Sequence, residues 1–445
     1  MIVVSKFGGS SMKDHEAMLR SAQISKKQNS TITLVSATYG TTDQLHELVE
    51  LSVGGKWNEC EKKLFTIRER HFDILQNLTG DQLVGERLRE LFNNLETLTR
   101  GIFLLGECSE KAKDRMVSFG ERLSSLLYAE ALKMTWPEKS VEHFDSRRIL
   151  KTNSQYGKAK PQLSKIRTQC EAFFKLDGSI AYVGQGYIGS DDDDFTTTLG
   201  RGGSDYSAAL FAEGVKADVL EIWTDVAGIA TTDPRIVNQA RPINEISYDE
   251  AGEMAQYGAK ILHSSTLVPA MREKIPVFVG SSYAAEERGT WIRESVTEKP
   301  LIRAIAKRSN QALLTIRTPK MMNSFGFMGR IFDIFTENEI SVDCVSTSEI
   351  SVAISTDEIN LKNTRLIEQL SKLGEVNSEA GFSLVSIIGN EMLHQPGLGK
   401  RIFSAIEDVN VRLVCLGASA FNFNLLVSND QADETIKKLH GEFIS

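Results

Sequence analysis

The sequence predicts an α/β protein: an open, mainly parallel sheet sandwiched by helices, carrying a helical insertion and followed by two small βαββαβ units. Three observations carry this. From the start to about residue 295, short apolar runs alternate with longer amphipathic stretches, the rhythm of strands joined by crossover helices. Between about residues 43 and 135 the pattern is helical almost without break, with charged faces and leucine-rich stripes. Beyond residue 300, a shift of roughly 71 residues lays the chain upon itself.

A large domain is therefore drawn over residues 1–295, with a helical subdomain at about 43–135. Its strands are expected at Ile2–Val4, Thr31–Ser36, Ile180–Val183 and Val219–Trp223. The polar segment RESVTEKP, ending in Pro300, reads as a connector. The first repeat is drawn over 301–375 and the second over 376–445. The shift lays Leu313–Ile316 on Leu384–Ile387 and Arg330–Phe332 on Arg401–Phe403. It also superposes Ile340 on Val411, Cys344 on Cys415 and Ser348 on Ser419. Each copy reads strand, glycine-containing loop, helix, two strands and a second helix. Neither copy holds a cluster of acids, bases or nucleophiles, so the pair reads as a binding platform.

Composition narrows the function. With 445 residues, 41% hydrophobic and 25% charged, the chain has the make-up of folded soluble domains. A net charge of −8 argues against a nucleic-acid partner and against a polybasic membrane anchor. No apolar run approaches the ~18 residues of a membrane span, and MIVVSKFGGSS shows neither a basic leader nor a cleavage site. Cys60, Cys108, Cys170, Cys344 and Cys415 lie far apart with no zinc-site spacing, as expected of reduced thiols in a cytoplasm.

Two glycine-rich turns carry the chemistry. In SKFGGSS, Ser5–Ser11, glycines follow a strand and precede a helix expected from about Asp14, so backbone N–H groups can approach phosphate oxygens beside the Lys6 charge. The lysine precedes the glycines, so this is not the common P-loop. In TTTLGRGGSDYSAALFAEGV, Thr196–Val215, a loop from Gly200 to Gly203 enters a helix through Ser204 and Asp205. Capping accounts for those two residues but not for Arg201, which suits a carboxylate or phosphate.

Other signals are weaker. Gly184, Gly186 and Gly189 satisfy GxGxxG, but they lead into Asp191–Asp194, read as a solvated acidic turn, so no nicotinamide cofactor is expected. Four consecutive aspartates cannot all point at one ion, so no metal site is expected there. Thr224 and Asp225 fall at a strand end, where ligands gather, and Lys260 lies in YGAKILH; ordinary loop polarity accounts for each equally well. The seven histidines are scattered and give no support to a histidine-dependent mechanism.

KFGGSS, VSFGERLSS, TTTLGRGGSDY, IWTDVAGI, TTDPR, YGAKILH and IPVFVGSS stand in the order and at approximately the separations seen in aspartate kinases of the amino-acid-kinase family. The C-terminal repeat resembles that family's paired ACT domains, so the resemblance spans essentially the whole chain. It implies that residues 1–295 are the catalytic domain and that the activity is MgATP-dependent phosphorylation of the L-aspartate side-chain carboxylate, giving 4-phospho-L-aspartate. That reaction opens the route to lysine by way of diaminopimelate, threonine and methionine. Carried over residue by residue, the resemblance implies that Lys6 and Asp205 serve catalysis. Thr42, Glu121, Arg201 and Ser204 would contact aspartate, Glu121 at its ammonium and Arg201 at its carboxylate. Lys6, Gly8, Gly9, Ser10, Thr224, Asp225, Arg235 and Lys260 would line ATP. The sequence departs from the family pattern at Ala230, where relatives often carry an aromatic, and at Ser264, where they carry proline.

The chemistry agrees with the inventory. A side-chain carboxylate with a pKa of about 3.9 is already ionised at neutral pH, so its attack on phosphorus needs no general base. Mg²⁺ is expected to arrive with ATP, with no protein ligand and no flavin or zinc. MMNSFGFMGRIF and SVDCVSTSE resemble the effector site of lysine-inhibited aspartate kinases. This implies an effector site of Met321, Ser324, Gly326, Phe327, Met328, Val342, Asp343, Ser348 and Glu349. Main chain near Gly326–Met328 would take the effector carboxylate, with Asp343 and Ser348 facing its amino groups. Paired ACT units further imply a homodimer or a dimer of dimers. Two alternatives stay open at this level: a family member acting on glutamate, its N-acyl form or a nucleotide, and a catalytically silent amino-acid sensor.

Overall fold

The computed structural model describes residues 1–79, 81–258, 264–322 and 325–444. In chain order the first elements are β1 (Val3–Phe7), α1 (His15–Lys27), β2 (Ile32–Val35), α2 (Thr41–Val53), α3 (Trp57–Leu78), α4 (Gln82–Leu105), α5 (Glu110–Val117) and α6 (Phe119–Thr135). Next come β3 (Ser140–His143), α7 (Leu163–Phe173), β4 (Ile180–Gln185), β5 (Ile188–Ser190), β6 (Thr196–Thr198), α8 (Gly203–Gly214) and β7 (Val219–Thr224). β8 (Glu245–Ser247), α9 (Tyr248–Tyr257), α10 (Ser264–Glu273), β9 (Val277–Ser281) and β10 (Thr290–Arg293) follow.

All five residues of β1, VVSKF, are buried. A strand covered on both faces takes parallel neighbours, and β1 pairs in parallel with β2 and β7. It sits inside an eight-stranded sheet of order β3-β4-β2-β1-β7-β9-β10-β8, antiparallel only between β9 and β10. Alternate residues of a strand point to opposite faces. Ala181 and Val183 of β4 join the core built with α1–α6, whereas Tyr182 meets Phe144, Phe173 and Phe174 in a cluster that also takes Phe211 of α8. Helices thus cover both faces, as the sequence predicts, and α2–α6 form the helical layer expected between 43 and 135.

The chain divides into two compact units. One is Met1–Ile229 with Pro242–Tyr248 and Ile261–Val296; the other is Ala230–Arg241 with Asp249–Lys260 and Thr297–Ser445. The span 1–295 drawn from sequence therefore includes two segments that belong to the second unit, and specific bonds explain why. Thr231 Oγ1 lies 2.9 Å from His440 Nε2, the Glu250 carboxylate pairs with Arg303 at 3.0 Å, and Glu253 receives Ser419 Oγ at 2.7 Å.

The rest of the second unit runs β11 (Ala304–Arg317), α11 (Phe327–Glu337), β12 (Cys344–Thr347), β13 (Ser351–Asp357), α12 (Thr364–Ser371), β14 (Glu375–Ile388), α13 (Leu398–Ala405), β15 (Leu413–Cys415), β16 (Asn422–Ser428) and α14 (Asn429–Phe443). The internal repeat is visible in the backbone: Gly326 and Gly397 are left-handed N-caps of α11 and α13, with φ of 74° and 78°. The two βαββαβ units are joined: β11 and β14 are long and shared within one six-stranded antiparallel sheet. Ala304–Arg308 pairs with Leu384–Ile388, and Leu313–Arg317 pairs with Glu375–Glu379, across irregularities between Arg308 and Leu313. The reason is apolar patterning: Ile305 enters the core of the second copy, while Leu314 and Ile316 enter that of the first.

Among the described residues no helix is long and apolar enough to cross a membrane. Leu88 of α4 is fully buried within the helical layer. Leu88→Ala is expected to cost about 2–5 kcal/mol in urea unfolding followed by circular dichroism; a loss under about 0.5 kcal/mol, the surface-substitution range, would contradict this packing.

Candidate active site

The register brings the C-terminal ends of the parallel strands into line: Phe7 lies opposite Val35 and Trp223, Val35 opposite Gln185, and Trp223 opposite Gly280. Ligands of open α/β sheets gather at this edge. Lys6, the penultimate residue of β1, is only 7% exposed, and its Nζ lies 2.5 Å from Asp205 Oδ1. The next turn is held by backbone. Gly8 N–H donates to the Trp223 carbonyl at 3.1 Å, and Tyr283 Oη donates to the Ser10 carbonyl at 2.9 Å. A Cβ on Gly9 would stand 3.2 Å from the Ala37 carbonyl, so a side chain there would crowd the neighbouring loop.

Asp205 arrives on α8. Its N-cap is Gly202, at φ 72°, with no side-chain hydrogen bond, so Ser204 and Asp205 occupy the first turn and are not the cap. α2 starts in the same way, from Gly40 at φ 74°, with half-buried Thr42 in its first turn. By contrast α1, α4 and α5 are capped by Asp14, Asp81 and Ser109 side chains. Helix starts without such caps keep N–H donors available to an anion.

Glu121 lies in the first turn of α6 and is 3% exposed. Its Oε1 accepts the Ala37 N–H at 3.2 Å, and its Oε2 is buried with no hydrogen-bond partner among the described residues. Burial pushes its pKa up to about 8, against the pull of the Ala37 amide, its own backbone N–H and Lys6. The carboxyl therefore holds its proton at neutral pH until a cation approaches.

The remaining predicted residues divide. Arg201 is exposed, and no partner of its guanidinium is found among the described residues. Thr224 ends β7 and its hydroxyl donates to Asp225 at 3.2 Å. Arg235 lies in the second unit, where it grips Asp233 at 2.6 Å, and Lys260 lies outside the described residues. Gly184, Gly186 and Gly189 serve packing: their Cβ atoms would stand 2.4 Å from Phe144, 2.8 Å from Ser204 and 2.5 Å from the Leu150 carbonyl. The acidic run is not wholly solvated. Asp191 is buried and accepts from Tyr156 Oη and Phe195 N, each at 2.9 Å, while Asp192 and Asp194 pair with Lys165 and Lys151. Sequence reasoning missed the Ala37 amide, and it missed Thr38, Arg70 and His71, which no motif marks.

In the second unit, Gly326 leaves the start of α11 without a side-chain cap, and Phe327 is core. Met321, Met328 and Val342 are half-buried, Ser348 and Glu349 are exposed, and Ser324 lies outside the described residues. Asp343 does not stand free: its Oδ1 takes Arg308 Nη1 at 2.8 Å, while its buried Oδ2 has no hydrogen-bond partner among the described residues. Burial raises its pKa, and Arg308 opposes the shift.

The amino acid kinase family pattern matches residues 1–281, and an ACT domain pattern matches residues 385–443. The lysine-sensitive aspartokinase 3 of Escherichia coli is 40% identical over 449 residues, which is 99% of this chain and 98% of that protein. An aspartokinase of Chlamydia trachomatis is 30% identical over 98% of this chain and 97% of its own length. Among solved structures, Escherichia coli aspartokinase III with aspartate and ADP, an R-state, is similar over 100% of both chains, with a TM-score of 0.91 at 40% identity. The same enzyme with lysine and aspartate, a T-state, gives 0.82 over 100% of both chains, again at 40% identity.

Glu121 also sets a pH dependence. Folded, it keeps its proton to about 8; unfolded, it releases it near the ordinary glutamate value of 4.5. The folded form binds the extra proton across that window, so stability falls as pH rises through it. Urea unfolding free energies of wild type should decline by up to about 1.4 kcal/mol per pH unit more steeply than those of Glu121→Gln between these values. Parallel profiles would contradict the shift.

Proposed function

Because the chain belongs to the amino acid kinase family and, within it, to the aspartokinases, we propose that the strand-end site transfers the γ-phosphoryl group of ATP to the side-chain carboxylate of L-aspartate. The observation that carries this is the buried Lys6, paired with Asp205 beside helix starts that lack side-chain caps. Lys6 and the N–H of Gly9 stabilise the phosphoryl oxygens as charge shifts between them. The acceptor carboxylate needs no base. Thr42, Ser204 and Arg201 hold the substrate, with exposed Arg201 closing on its α-carboxylate. Ser10, Thr224 and Asp225 contribute to the nucleotide side.

Among the described residues no group of three or more His, Cys, Asp or Glu could hold a metal ion. A Mg²⁺ carried by the nucleotide fits this site, where when bound it screens phosphate charge.

Glu121 recognises the aspartate ammonium. The neutral carboxyl loses its proton as that cation arrives, so aspartate binding near pH 7 releases protons. Inhibition by lysine fits the first repeat, where the α11 start lacks a side-chain cap and Asp343 keeps one oxygen unpartnered among the described residues. The second copy has Val414 in place of Asp343, and its counterpart of Ser348 is Ser419, already bonded to Glu253 at 2.7 Å. Paired repeats support a homodimer or a dimer of dimers, and five free thiols support a cytoplasmic location.

Coupled ADP release should require aspartate over glutamate, N-acetylglutamate or UMP, and Lys6→Ala should lower it by about 100-fold or more. Turnover without aspartate, or untouched by Lys6→Ala, would remove the assignment. Millimolar lysine should inhibit wild type but not Asp343→Ala; equal inhibition of both would place the effector elsewhere. Titration calorimetry in buffers of different ionisation enthalpy should register proton release with aspartate, absent in Glu121→Gln.

A further inference from the structure

Two consecutive residues of the helical layer reach the loops of the site. From α3, Arg70 Nη1 donates to the Tyr39 carbonyl at 2.6 Å and Nη2 donates to the Lys13 carbonyl at 2.9 Å. Tyr39 lies in the loop that ends at Gly40 and Thr42; Lys13 ends the turn that begins at Gly8. One planar guanidinium thus spans both loops, with its donors in a fixed fork.

His71 supports the same loop from beneath. It is fully buried, and its Nδ1 lies 2.7 Å from the Ile67 carbonyl, which can only accept. Nδ1 therefore carries the proton and Nε2 is an acceptor. Thr38 Oγ1, 3.2 Å away, donates to Nε2, and Thr41 Oγ1, 2.5 Å from Thr38 Oγ1, donates to it in turn. Thr41 N–H also meets the Thr38 carbonyl at 2.9 Å. Burial takes the imidazole down to about 4, which keeps this neutral tautomer in place at physiological pH. Each donor in the relay has an acceptor, so the loop entering α2 has its conformation specified.

We propose that Arg70 and His71 are positioning residues for phosphoryl transfer, holding the Gly8–Lys13 turn and the Thr38–Thr42 loop at a fixed separation. The inference rests on the functional reading above, which puts phosphate at the first loop and aspartate at the second. Neither side chain touches a reacting atom. Both act through the main chain that sets where donor and acceptor meet, and alignment at that scale governs rate steeply. The helical insertion thereby gains a function at the active site.

The test uses the full chain with Arg70→Met, Arg70→Lys and, as a control on the same helix, Arg68→Met; Arg68 lies over the Phe72 ring, 5.6 Å from its centre. Melting temperature is measured beside kcat and KM for aspartate. Arg70→Met should lower kcat/KM by more than about fivefold at an unchanged melting temperature. Arg70→Lys, which can reach one carbonyl at a time, should recover part of the loss, and Arg68→Met should match wild type. A folded Arg70→Met that loses less than about fivefold, or an equal loss in Arg68→Met, overturns the role. Because replacing the buried imidazole puts folding at risk, the decision is made at half-buried Arg70. A wild type that releases no ADP with aspartate removes the functional reading itself, whereas an active wild type with an unaffected Arg70→Met removes the positioning role alone.

Discussion

A lysine ammonium placed inside a sheet covered on both faces must have an anion beside it, because an unpaired buried charge is heavily penalised. Lys6 meets that demand with Asp205. To deliver this carboxylate, the start of α8 has to approach the strand ends closely. Gly186 therefore carries no Cβ where Ser204 arrives, and Gly203 carries none where Tyr187 packs, its Cβ standing 2.6 Å from that ring. The left-handed Gly202 makes the chain reversal that turns the helix toward the sheet. Gly186, Gly202 and Gly203 thus answer to one electrostatic requirement.

The same economy explains the unfinished hydrogen bonding around the site. α1, α4 and α5 close their starts with their own side chains, whereas α2 and α8, like α3, α6 and α7, start without a side-chain cap. Glu121 keeps one oxygen without a partner among the described residues, in a desolvated position. Buried polar atoms are normally satisfied, and exceptions tend to mark places where a ligand completes the structure. Here open donors and a half-satisfied carboxyl supply opposite polarities, as a zwitterionic acceptor and a polyanionic donor require together.

Much of this was legible in the chain because its cause is local. Strand–helix alternation, the glycine turns around Lys6 and Arg201, and the repeat with Cys344 over Cys415 all follow from neighbours in sequence. What was not legible depends on distance. The Glu121 proton depends on α6 being buried against Ala37, and Arg70 and His71 look like ordinary members of an amphipathic helix until its packing brings them to two loops. Asp191 reads as solvated in a run of four aspartates, yet Tyr156 and the Phe195 amide draw it inside. Capping by Ser204 is the common expectation, and the left-handed Gly202 displaces it by reversing the chain earlier.

The long strands β11 and β14 carry a consequence for how such a module is inherited. Each copy of the repeat completes its sheet with a stretch belonging to the other, Ala304–Arg308 lying in the second and Glu375–Glu379 in the first. A gene break between the copies would leave each fragment missing a strand its core depends on. The two copies therefore share one continuous sheet that stays complete only when both are inherited together.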